Sequence, residues 1–87
     1  MPRVFIPTQW RDLTEGVTDV RLEGSTLGQV IAALERRFPG ISGRVCDEGM
    51  IAGGLAVSID GAMTSRGLLA PVGTDSEIHF LPAIGGG

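Results

Sequence analysis

The residues of this chain with usable chemistry are few, and the most telling of them lie at its end. The last eight positions read Phe80-Leu81-Pro82-Ala83-Ile84-Gly85-Gly86-Gly87. Glycines offer no side chain to a core and keep the greatest backbone freedom. What they do offer is a carboxylate on a thread slim enough for a slot closed to any Cβ. An enzyme that brings ATP to the terminal carboxylate of another protein requires such a thread. The competing reading is a frayed terminus or a cloning remnant.

Other reactive side chains stand alone. His79 is the single histidine. It has no nucleophile nearby in sequence and no partner at metal-ligand spacing, so it is expected to face solvent from a strand rather than act as a base. Cys46 is the single cysteine, which excludes an intrachain disulfide and a cysteine-ligated cluster. No cationic setting surrounds it to favour the thiolate, and it is expected to be a small buried apolar residue. Trp10 is a loop aromatic, either packed on the rim of a sheet or open to a partner. No residue is assigned a catalytic or metal-binding role.

The charged residues narrow the function classes. A formal net charge of -3, with no basic stripe, argues against a nucleic-acid partner. A mildly acidic body is compatible with a basic patch on an enzyme partner. All seven basic residues are arginine: Arg3, Arg11, Arg21, Arg36, Arg37, Arg44 and Arg66. A carboxyl group activated on this chain would therefore meet no ε-amine of its own. A genome that favours arginine codons would give the same composition. The N-terminal stretch has no signal-peptide core and no stretch is long enough to span a bilayer, so the cytoplasm is the expected compartment.

At 87 residues, 43% of them hydrophobic, the chain is expected to form one small domain with a core of its own. A strand is predicted from Arg3 to Thr8, with Val4 and Ile6 on one face, Arg3 and Phe5 on the other, and Pro7 near the end of the pairing. A polar connection from Gln9 to Val17 leads to a second strand, Thr18 to Glu23, with Val20 and Leu22 inward. Gly24 ends it. Thr26 and Gln29 fit a capping box, with Ser25 as the alternative cap. Leu27, Val30, Ile31, Leu34 and Phe38 then recur at helical spacing until Pro39-Gly40. Ile41 to Gly54 is read as an irregular glycine-rich connection. Leu55 to Asp60 is a strand facing inward with Leu55, Val57 and Ile59, and Asp60-Gly61 is a turn. Leu68, Leu69 and Val72 are expected to plug one end of the core. The last strand, Glu77 to Leu81, should bury Ile78 and Phe80, present His79 and Leu81 to solvent, and stop at Pro82.

One helix across a mixed four- to five-stranded sheet is an α+β arrangement. The connection through the helix returns right-handed, which gives a β-grasp fold with the first and last strands parallel in the sheet centre. The expected division is 1–83 for the body and 84–87 for a flexible glycine tail.

Here the chain resembles the MoaD/ThiS family of ubiquitin-like sulfur carriers. The residues that carry the likeness are Val4-Phe5-Ile6-Pro7-Thr8, the helix from Thr26-Leu27-Gly28 to Phe38-Pro39-Gly40-Ile41, Val57-Ser58-Ile59-Asp60-Gly61, and Asp75 to Gly87. Ile6-Pro7-Thr8 and Leu81-Pro82-Ala83 are most similar to carriers that supply sulfur for cysteine synthesis. The resemblance implies a protein cosubstrate rather than an enzyme, with no cofactor bound. An E1-like enzyme using ATP and magnesium would adenylate Gly87, and a sulfur donor would convert it to a thiocarboxylate for a synthase of cysteine or molybdopterin type. Gly85 and Gly86 supply reach. Phe5, Leu81, Pro82 and Ile84 are the candidates for docking on partners. A ubiquitin-like modifier joined through Gly87 and a non-catalytic binding subunit remain the alternatives.

Overall fold

The computed structural model describes residues 1–82. In chain order the elements are β1 (Arg3–Phe5), β2 (Asp19–Arg21), α1 (Leu27–Arg37), α2 (Ser42–Val45), β3 (Cys46–Asp47), β4 (Met50–Ile51), β5 (Leu55–Ile59), β6 (Ala62–Met63) and β7 (Glu77–Pro82), with 3₁₀ turns at Thr8–Trp10 and Gly67–Leu69. Five strands form one sheet in the order β2-β1-β7-β5-β6. The pairing of β1 with β7 is parallel, Val4 level with Ile78, and the other contacts in this sheet are antiparallel. This is the β-grasp arrangement, with β7 held between β1 and β5.

The core follows from period two in the strands and 3.6 in the helix. Val4, Val20, Val57, Ile78 and Phe80 are buried on one face of the sheet. Leu27, Val30, Ile31, Leu34 and Phe38 are buried against them from the helix and its end. Each such side chain removed from water contributes roughly 1.5–3 kcal/mol before entropy is subtracted. Trp10 is packed on the rim of this core, its ring 5.1 Å from that of Phe80.

The entry to α1 is built with little tolerance. The Gln29 amide donates to Thr26 Oγ1 at 3.2 Å, as a capping box requires. The return bond goes one residue further back: the Ser25 amide donates to Gln29 Oε1 at 2.8 Å. Ser25 and Thr26 thus share the cap. Gly24, at φ 152°, lies so close to the first turn that a Cβ there would stand 2.8 Å from both Cγ2 and the amide nitrogen of Val30. At the other end, Glu35 accepts from the amides of Gly40 (2.8 Å) and Ser42 (2.9 Å), which ties the Pro39-Gly40 stop back onto the helix. These two N–H groups hold the Glu35 carboxyl below its ordinary range.

Several elements differ from the sequence expectation. β1 ends at Phe5, because Pro7 has no amide to give and the chain tightens at Thr8 into a 3₁₀ turn. β7 runs through Pro82, which lies opposite Leu55 at the end of the ladder. The connection after α1 is structured: Ile41 and Val45 are fully buried, and Cys46–Asp47 pairs with Met50–Ile51 in a small hairpin. Asp60 (φ 54°) and Gly61 (φ 86°) form the tight turn that returns the chain as β6. Leu69 does not plug the core; it is 77% exposed, while Ala70 and Val72 are buried and Leu68 only packs against the edge. The 3₁₀ turn at Gly67–Leu69 carries Leu69 outward while its neighbours fold in.

Candidate functional site

The far face of the sheet, away from α1, collects the outward residues of its strands. The parallel register puts Phe5 level with His79, and the antiparallel registers put Ser58 beside His79 and Met63 beside Ser58. Ala56 lies beside Leu81 in the next row. The Phe5 and His79 rings are stacked face to face, with centroids 4.3 Å apart and planes within 5°. The guanidinium of Arg3 lies 4.8 Å from the centre of the Phe5 ring. Its Nε donates to Asp19 Oδ2 at 2.9 Å. That bond, with a second from the Thr18 hydroxyl, keeps the Asp19 carboxyl below its ordinary range. Leu81 is 40% exposed and Met63 59% exposed.

His79 lies on the outward face of its strand, as expected from sequence, but is half-buried against the ring of Phe5. Phe5 and Leu81 do both face outward, but they are not side by side. His79 occupies the place next to Phe5, and Leu81 follows two residues along β7. Met63 was not foreseen, since a return strand of two residues is too short to show a period. Asp60-Gly61 was the signal that could have found it, because such a turn must lead back along β5. Pro82 is exposed at the end of β7. Ile84, Gly85, Gly86 and Gly87 lie outside the described residues, and so does the expected boundary at 83/84.

The opposite end of β7 is fixed by a polar clasp. Asp60 Oδ1 accepts from the Glu77 amide at 2.9 Å, and Oδ2 accepts from the Ser76 hydroxyl at 2.7 Å. The Asp60 amide returns a bond to the Glu77 carbonyl at 2.9 Å. The two bonds to its carboxylate hold the Asp60 carboxyl low. Cys46 is half-buried rather than wholly buried, and burial pushes its thiol up. Among the described residues no group of three or more His, Cys, Asp or Glu side chains is placed to hold a metal ion. No helix there is long and apolar enough to cross a membrane. A short apolar groove between β4 and the second 3₁₀ turn is lined by Met50, Ile51, Leu68 and Leu69. The described residues offer an outward sheet face and an anchored central strand.

Comparison with known proteins agrees with that geometry. Residues 4–87 match the model of a family described as the ThiS family. The sulfur carrier protein CysO of Mycobacterium tuberculosis is 34% identical over 89 residues, covering 97% of this chain and 96% of the relative. A chain in the crystal structure of the BexX/CysO complex of Amycolatopsis orientalis superposes with a TM-score of 0.92 at 31% identity, over 100% of both chains. Small archaeal modifier protein 1 of Methanosarcina acetivorans shares the fold, with a TM-score of 0.80 at 21% identity over 99% of this chain and 95% of that one.

Proposed function

The chain belongs to the ThiS family, and from that membership we propose that it is a sulfur carrier whose working group is the carboxylate of Gly87. An E1-like enzyme attacks ATP with that carboxylate, releasing pyrophosphate and leaving an acyl-adenylate. A sulfide-level donor then displaces AMP and leaves the thiocarboxylate; a persulfide donor does the same once a thiol has reduced the resulting disulfide bond. The sulfur, nucleophilic and slim, attacks an electrophilic acceptor in a second enzyme. Cysteine synthesis is the pathway favoured by the likeness to CysO proteins. In this reading the chain acts as a cosubstrate rather than an enzyme, and its partners supply the acid–base and oxyanion chemistry. ATP and magnesium belong to the activating partner.

The observation that carries this reading is a family match that spans residues 4–87, from β1 to the terminal glycines. β7, central and paired on both sides, supports it by fixing the point from which those glycines leave. Phe5, Leu81 and Pro82, with Ile84, form the docking surface for the activating and accepting enzymes, and the Phe5–His79 stack holds the first of these side chains in place. Aromatic and apolar anchors of this kind dominate binding when a partner covers them.

Co-expression with an adenylating partner and a sulfur donor tests the proposal. The intact mass should rise by the difference between sulfur and oxygen at the C-terminus, and deletion of Gly86 and Gly87 should abolish the change. A covalent adduct to another protein would instead identify a modifier. Retained partner affinity without any mass change would identify a binding subunit.

A further inference from the structure

One edge of the sheet is open, and its residues say what fits there. β2 pairs with β1 on one side and, among the described residues, has no strand on the other. The Ile6 amide donates to the Thr18 carbonyl at 2.8 Å, and the Leu22 amide donates to the Pro2 carbonyl at 2.9 Å. Backbone groups at the even positions of β2 therefore turn toward β1, and by alternation those of Asp19 and Arg21 turn to the open edge. Val20 is buried on the helix side of the sheet, while the side chains of Asp19 and Arg21 lie on the other face. Asp19 already accepts from Arg3 and from the Thr18 hydroxyl. Arg21 is exposed and forms no ion pair among the described residues. A strand added at this edge must meet one acid and one base, two residues apart. A second copy of β2, turned about a two-fold axis, carries that same pair in the reverse order.

We propose that two copies of this chain associate edge to edge through β2, antiparallel, with the two-fold axis at Val20. Charge selects that register among those that engage the outward amides. An axis at Asp19 sets two carboxylates opposite each other. An axis at Arg21 opposes two guanidiniums and sets Asp19 against Glu23. The axis at Val20 sets Asp19 opposite Arg21 of the second copy, and symmetry repeats the pair. Each Asp19 and the Arg21 facing it then exchange both backbone N–H···O bonds. An edge guarded only against pairing carries charges that repel in every register; this one repels in two and attracts in the third. Three residues from each copy bury far less than the roughly 1,200 Å² of a stable interface. The dimer is therefore transient, populated near about 1 mM and dispersed near about 10 µM. β7 lies two strands in from the joint, so its outward residues stay open on both copies. The inference goes beyond the carrier reading and does not depend on it.

Sedimentation and NMR of the full chain between about 10 µM and about 1 mM test this. The amides of Asp19 and Arg21 should shift with concentration. In a mixture of isotope-labelled and unlabelled chains, a filtered NOE should join the α-protons of Thr18 and Leu22, which face each other across the joint. Within one extended strand those residues are about 13 Å apart, so the signal arises only between copies. Arg21→Glu, folded by circular dichroism, should weaken association about tenfold, because its new carboxylate faces Asp19. Asp19→Arg should do the same by opposing two cations. An equimolar mixture of the two folded variants should associate like the parent, since every acid again faces a base. A parent chain that stays monomeric at about 1 mM would overturn the proposal. So would association that Arg21→Glu leaves unchanged, or a mixture of the folded variants that stays monomeric. Concentration-dependent shifts centred on Met50 and Leu69, or on Phe5 and Leu81, in place of β2 would overturn it equally.

Discussion

Glu35 shows how a surface side chain earns a structural role in this chain. Its carboxylate satisfies the amides of Gly40 and Ser42, both just beyond the end of α1, and those bonds hold its carboxyl low. The sign of the resulting pH dependence is fixed. A carboxyl depressed in the folded state adds stability at pH values above its unfolded value, and that stability fades as the pH falls through the lowered folded value. Glu35→Gln should therefore lower the Tm at neutral pH and flatten its fall between about pH 5 and pH 3. Thermal unfolding across that range checks it, and a Glu35→Gln curve parallel to the parent's would refute it. Asp19 and Asp60 are depressed in the same direction and account for the part of the acid limb that remains.

Among the elements, α1 is the one whose construction was most legible before the fold was known. Thr26, Gln29 and the apolar spacing from Leu27 to Phe38 read directly, because capping and amphipathicity are local properties of the chain. Thr26→Ala should cost about 1 kcal/mol in urea unfolding, with the slope unchanged, since one amide at the helix entry loses its partner. Ser25 bounds the loss, as its hydroxyl and amide still reach Gln29. The hairpin of β3 and β4 was not legible, because two-residue strands have no period and their pairing depends on Ile41 and Val45 being buried first. The outward face of the sheet was half legible. Alternation put Phe5, His79 and Leu81 outward, but the register of two strands separated by some seventy residues is not written in either. That register is what brought His79, rather than Leu81, against Phe5.

For the molecule as a whole, order in the sheet sets order in stability. β7 is paired on both sides and buries Ile78 and Phe80, whereas β6 and the hairpin of β3 and β4 are short and peripheral. Native-state hydrogen exchange should show the slowest amides in β1, β5 and β7, exchanging only with global unfolding, and faster local opening in Ala62–Met63 and Met50–Ile51. Equal protection throughout would mean that the edges are integral to the cooperative unit. On that ordering the central strand β7 is among the last of the described elements to come apart.

The parallel alliance of β1 and β7 has a mechanical side. Tension between the chain's two ends pulls these strands lengthwise past one another, so that their cross-links and the flanking bonds of β5 to β7 are loaded together in shear. An antiparallel hairpin under the same pull would peel open one rung at a time. Tension of that kind therefore acts along the stiffest direction of the sheet, and the load is shared among the three strands rather than passed from rung to rung.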